Sequence, residues 1–277
     1  MLPFPLQDCH DKGIHHFRIY RPSETNRLDW LLPMAQEYIR LHARSEERIE
    51  AIRSRLEDLD LDVTNVEKRL QRDSLPVRRH DNFDVVRSDF GELLCYMLLE
   101  RDYSTVIGTK SIDLRELTDS AGRGIDAIGI EEDGDQYTLV LCEVKVSDER
   151  VSPPRVVERS EDSLKNQHLA HLAHLHEETK KKIRRSAKLA RNPDVREALD
   201  VVGTLLDMHR LDLLKITACN VLVRSTAVHQ LRDFGCFYTD PAQFQPASIR
   251  FLIACVPGTI DDIIREWYDL LLQEVSA

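Results

Sequence analysis

The sequence predicts an α/β layer fold, a central mixed sheet flanked by helices. Three observations carry this expectation. From residue 85 onward the segments follow the order helix, strands, helix, strand, strand, helix. Two strand-like apolar runs are joined by Asp-Gly turn chemistry in EEDGDQ, the mark of a hairpin. The apolar share, 42% of 277 residues, suits a chain with a buried core, and no apolar run reaches the roughly 20 residues that span a bilayer.

Taken in order, the first 84 residues differ from the rest. After a short strand at His16 to Tyr20, the stretch Leu28 to Leu70 reads as amphipathic helices, with Leu41, Ile49, Ile52 and Leu56 on one stripe and Pro33 as the early interruption. No glycine occurs between Ile14 and Phe90. Residues 1–84 are therefore expected to be a mostly helical docking or regulatory region, ahead of a main domain at 85–277. Asp73 to Asp84, with Pro76, reads as the connection. Ser88 to Glu100 predicts a helix with Ser88 as N-cap and an apolar face of Phe90, Leu94, Met97 and Leu98. Strands follow at Gly124 to Ile130 and Tyr137 to Val146. A Pro153-Pro154 break precedes a long polar helix, Glu161 to Leu189, and Pro193 opens a shorter one, Asp194 to His209. Strands at Lys215 to Arg224 and Ser248 to Val256 and a closing helix from Thr259 to Val275 complete the chain.

Charge and cysteine usage narrow the function classes. The net charge of -10 argues against a surface coated for nucleic acid, so an anionic partner has to use a local basic stripe or be delivered by another protein. One stripe exists: Lys180, Lys181, Lys182, Arg184, Arg185, Lys188 and Arg191 occur with no acid among them. It is either a solvated helix end or a phosphate-backbone contact. The six cysteines form no CxxC pair, and Met1 to Asp8 has neither a basic leader nor an apolar core, so reduced thiols in a cytoplasmic protein without membrane attachment are expected. No Walker A loop, GxSxG elbow or GxGxxG fingerprint is present, which excludes an NTP-driven motor.

The residues that carry chemistry lie on the hairpin. Asp126 opens its first strand in GRGIDAIGI; Glu143 and Lys145 end the second in LVLCEVKVS. Strand alternation puts Glu143 and Lys145 on one face and Cys142, Val144 and Val146 on the other. Charges on a buried face need partners. If the turn sets Asp126 beside Glu143, two carboxylates and the Val144 backbone carbonyl offer the hard oxygen ligands that Mg²⁺ takes, with Lys145 beside them to orient a water. The competing reading is a structural ion pair at a strand end. Lys110 and Arg123 are either phosphate contacts or solvated cations. His168, His171, His174 and His176 fall at helical spacing but without HExxH, which favours helix packing over a metal site.

Asp126, then Glu143-Val144-Lys145 after a hairpin, with Glu92 on a preceding helix, resembles the PD-(D/E)XK nuclease superfamily. The resemblance covers Ser88 to Arg224. It implies a restriction-endonuclease-like αβββαβ core, Asp126 and Glu143 as acidic metal ligands, Lys145 as the motif lysine and Glu92 as the further helix carboxylate. Ile125 stands where the superfamily name has proline. Gln167 falls at a polar helix position of some members but outside a QxxxY pattern, since Ala170 and His171 follow. Within the superfamily, RSDFGELLCYMLLE after LPVRRHDNFDVV, the Gly124-x-Asp126 strand and CEVK are similar to the nuclease subunit of the Hachiman anti-phage defence system, which works beside a helicase. The resemblance thus implies a deoxyribonuclease dependent on Mg²⁺ or Mn²⁺, acting on DNA with a helicase partner. A non-catalytic adaptor with a nuclease-like fold, and a stand-alone restriction or repair nuclease, are the alternatives.

Overall fold

The structure, a computed structural model, describes residues 4–22, 26–42, 46–64, 66–73, 75, 83–110, 112, 125–134, 136–190 and 192–276. Seven strands, β1 (Leu6–Lys12), β2 (His15–Tyr20), β3 (Val106–Lys110), β4 (Ala127–Asp133), β5 (Gln136–Ser147), β6 (Leu214–Ser225) and β7 (Ser248–Val256), form one sheet in the spatial order β1-β2-β7-β6-β5-β4-β3. Strands β2, β7, β6 and β5 run parallel, and antiparallel pairs extend the sheet at both edges. The central β6 and β7 are buried along almost their whole length, as parallel strands covered on both faces must be. The predicted α/β class is therefore observed.

Helices α1 (Leu28–His42), α2 (Glu46–Glu57), α3 (Val66–Asp73) and α4 (Phe83–Asp102) precede β3; α5 (Arg155–Glu158), α6 (Leu164–Ala173), α7 (Lys180–Leu189) and α8 (Pro193–Asp207) lie between β5 and β6; α9 (Gly235–Thr239) and α10 (Ile260–Ser276) flank β7. α1, α4 and α10 share one apolar cluster with Val140, Cys142 and Val144 of β5, and Leu139 and Leu141 face the α7–α8 side. Among the described residues no helix is long and apolar enough to cross a membrane.

Several expectations change. Strand β3, the third strand of the core that the resemblance implies, has no clear local signal, because its five residues contain Gly108 and show no clear alternation. Ser88 is no N-cap: Val85 and Val86 are buried too, and the helix starts at Phe83. The polar helix Glu161 to Leu189 is divided into α6 and α7 by a π turn, Leu175–Thr179. His171, Leu175, Thr179 and Ile183 are all buried at intervals of four. Over three turns that spacing outruns a 3.6-residue helix by roughly one residue, which the wider turn absorbs. Finally, residue 84 is no break in the sheet or core. β2 pairs with β7 through Tyr20↔Ala254, and Trp30, Met34 and Tyr38 of α1 lie in the same cluster as Trp267 of α10. Most of the connection read at Asp73 to Asp84 lies outside the described residues.

Candidate active site at the end of strand β5

The β4–β5 hairpin turns at Asp133-Gly134, where Gly134 has φ +62°, a conformation that favours glycine. From there β4 and β5 pair in register as far as Ala127↔Cys142. One residue further the ladder gives way to a side chain. The Asp126 N–H still donates to the Cys142 carbonyl (3.1 Å), while Asp126 Oδ2 accepts the Val144 N–H (2.8 Å). Asp126 thus closes the ladder against Cys142 and Val144, with its carboxyl near enough to Glu143 for the two charges to act on each other. Because a residue in an antiparallel pair turns its N–H and C=O to the same neighbour, the Val144 carbonyl also faces this side, past the start of β4.

Helix α4 reaches the site through Gly91. A Cβ there would stand 2.7 Å from Val146 Cγ2 and 3.0 Å from Val144 Cγ1, so only glycine lets the helix lie this close to β5. The next residue, Glu92, is buried. The Ser88 hydroxyl donates to its Oε1 (3.0 Å) and the Tyr96 hydroxyl to its Oε2 (2.9 Å), while the Tyr96 oxygen also sits 3.1 Å from the Asp126 carbonyl oxygen. Burial, then the charges of Glu143 and Glu92, push the Asp126 carboxyl well above the usual range. Burial also pushes Glu143 up to about 8, against the pull of Lys145 and with the repulsion of Asp162 added. Two carboxyls, Asp126 and Glu143, are thus pushed toward their neutral forms near the end of β5, with Glu92 of α4 close enough to add to both.

The cations around them are divided. Lys145 shares the strand face of Glu143, yet its ammonium pairs with Asp162 Oδ2 (2.5 Å), whose Oδ1 accepts from Gln167 Nε2 (2.5 Å). His171 Nε2 lies 2.7 Å from Glu143 Oε1, with both side chains buried. Burial, then the nearby Lys182, lowers His171 to about 4, so the ring is neutral near pH 7. The basic run does not act as one stripe. Lys180 (2.5 Å) and Arg184 bind Asp207 of α8, Lys182 stands close enough to act on Glu143 and His171, and Lys181, Arg185 and Lys188 are exposed. Lys110 pairs with Glu100 (2.7 Å). Arg123 and Arg191 lie outside the described residues.

The other histidines divide between packing and surface. His168 Nε2 lies 3.2 Å from the Cys219 carbonyl oxygen, His176 Nδ1 lies 2.9 Å from that of Leu206, and His174 is exposed. Among the described residues no group of three or more His, Cys, Asp and Glu side chains is drawn together to enclose a metal ion. Among the described residues no hydrogen bond reaches Asp126 Oδ1 or Glu143 Oε2. With the Val144 carbonyl they make a half-set of hard oxygen donors, which fits a divalent cation that keeps several waters. His171, Asp162 and Tyr96 were not identified as site residues from the sequence, and Lys182 was identified only as part of the basic run. The one available signal was the i, i+3 pair of buried histidines on α6.

No curated protein matches the chain. A family model, that of HamA, matches residues 4–212, from just before β1 through the whole of the hairpin and helices α4 to α8. The match takes in every residue of the candidate site and most of the chain's length, and by it the chain belongs to the HamA family.

Proposed function

We propose that the chain is a metal-dependent DNA nuclease that cuts phosphodiester bonds. Membership of the HamA family suggests a part in Hachiman anti-phage defence. The observation that carries the nuclease reading is the charge at the end of β5: the carboxyls of Asp126 and Glu143 are both pushed up, with Glu92 adding to each, and Lys145 stands beside them. A merely structural ion pair would have balanced charges; an excess of buried carboxylates is the arrangement of a cation site. The order α4–β3–β4–β5–α6–β6, with α7 and α8 inserted before β6, supports a restriction-endonuclease-like core.

In this reading Asp126 and Glu143 hold Mg²⁺ or Mn²⁺ together with the Val144 carbonyl. Glu92, both of whose oxygens are already engaged, acts from behind through Tyr96. When bound, the ion supplies a water of lowered pKa and offsets charge on the phosphoryl group. Lys145 orients that water and the scissile phosphate, and Asp162 with Gln167 holds its ammonium in place. Lys182 meets the phosphate nearest the carboxylates, and the exposed Lys181, Arg185 and Lys188 track the DNA backbone. The acidic net charge suits a nuclease brought to DNA by a helicase partner. The docking or regulatory role expected of residues 1–84 falls to α2 and α3, since β1, β2 and α1 are built into the sheet and core.

The test is Mg²⁺-dependent DNA cleavage by the purified chain, or protection from phage where cleavage needs the partner. Asp126→Ala and Lys145→Ala should each abolish it, the first with loss of ion binding and the second without. Wild-type cleavage or protection by a well-folded double variant would sink the nuclease and leave the adaptor.

A further inference from the structure

We infer that His171 is the positioning residue of this site: it holds Glu143 Oε1, and so leaves Glu143 Oε2 as the oxygen available to a divalent cation. The inference rests on the nuclease reading above and adds a residue from an element outside the hairpin.

The contact is short and closed. His171 Nε2 and Glu143 Oε1 are 2.7 Å apart, with side-chain exposures of 6% and 4%. A buried carboxylate needs a donor, and Lys145, the nearest cation on its own strand, is held by Asp162 instead. The ring is packed on one side, and the backbone that carries it is held separately. His168 packs edge-on against the ring, with centroids 6.2 Å apart at 89°. The Thr179 hydroxyl donates to the His171 carbonyl (2.8 Å) across the π turn that separates α6 from α7. Without that turn Thr179 and Ile183 would rotate off the sheet-facing stripe, and this closure would be lost. The π turn therefore belongs to the support of Glu143. A protein partner that fixes the unligated oxygen of a metal-binding carboxylate sets its rotamer, and losing such a partner typically costs metal affinity about 10–100-fold.

The experiment measures Mn²⁺ binding to the purified full-length chain by calorimetry, independent of any cleavage. It compares wild type with His171→Leu, His171→Gln and Asp126→Ala, with metal-free melting curves alongside. The leucine variant should bind Mn²⁺ about 10–100-fold more weakly. The glutamine variant, whose amide can still donate to Glu143, should recover most of that loss. Wild-type affinity in a folded leucine variant overturns the inference. Should leucine prevent folding, histidine ¹⁵N NMR of the wild type during Mg²⁺ titration decides. Retention of the Nε2 proton at saturation supports the assignment, and its loss overturns it. Failure of the nuclease reading looks different: wild type then has no Mn²⁺ site that Asp126→Ala removes.

Discussion

Two buried charged sites stand side by side at the same end of the sheet, and they are built on opposite principles. On β6, Arg224 is wholly buried beside Asp233, which is equally enclosed. Its Nε donates to Asp233 Oδ2 (3.0 Å), Nη1 to the carbonyls of Ser147 (3.0 Å) and Glu149 (2.7 Å), and Nη2 to those of Val151 (3.3 Å) and Val228 (3.3 Å). Those bonds use all five guanidinium donors. Burial raises Asp233, but hydrogen bonds from His229 and the Gln230 N–H, with the Arg224 charge, bring it below the ordinary range. On β5, at Glu143, carboxylates outnumber the cations that face them and are pushed up instead. The first site is charge used as a fastener for the chain leaving β5. The second is charge left over. The difference is one of balance: the first site is neutralised within the fold, and the second keeps an excess of carboxylate.

The largest effect should come from breaking the fastener. Arg224→Met takes the positive charge from buried Asp233 and the donor from four carbonyls, so a loss of about 3–5 kcal/mol is expected, on the order of 10 °C in melting temperature. Mg²⁺ should not restore it; rescue by Mg²⁺ would mean the two sites are not distinct.

Glu143→Gln should act in the opposite sense. Because its folded-state pKa is raised to about 8, the stability Glu143 contributes is present in acid and lost as pH rises through that value. In metal-free buffer the wild type should therefore melt a few degrees lower near pH 9 than near pH 7, and the glutamine variant should not. Parallel melting curves at the two pH values test this; equal slopes would place Glu143 with the balanced pair.

His168 should give the smallest effect. Burial, with His171 nearby, lowers its pKa to about 3. The unfolded chain takes up a proton first, so this contribution is present above about pH 6.5 and is lost as pH falls toward 3. His168→Phe should flatten the decline in melting temperature between about pH 6.5 and 5.5, where only part of the shift is felt. An unchanged slope would assign the acid sensitivity elsewhere.

How far the sequence leads differs between fold and site in the same physical way. The β4–β5 hairpin announces itself through alternation and Asp133-Gly134, and β7 spans the expected Ser248 to Val256. Both depend on local pattern. Glu92 is implied by the resemblance, and Gly91 before it is the local trace, since glycine inside a helix often marks a close approach. The support of the site is non-local. His171 meets Glu143 across 28 residues and Lys145 meets Asp162 across 17, contacts that exist only once α6 is laid on the sheet. The basic run misleads for the same reason, because Asp207, which holds Lys180 and Arg184, belongs to another helix. β2 was legible as a strand, but its neighbour was not: no local signal pairs residue 16 with residue 250.

That last pairing has a consequence for how the chain is made. His16 to Tyr20 find their partners in Arg250 to Ala254, and His15 Nδ1 accepts from the Ile249 N–H across 234 residues. At roughly 5–20 residues per second, the β1–β2 hairpin emerges from the ribosome tens of seconds before β7 exists to receive it. The α4, β4 and β5 segments around the acidic cluster, and then β6, are synthesised in that interval, with the half of the sheet beyond β6 still open. A nascent chain would therefore hold its acidic cluster before its fold is closed, and any chaperone or partner that engages the free hairpin acts in that window.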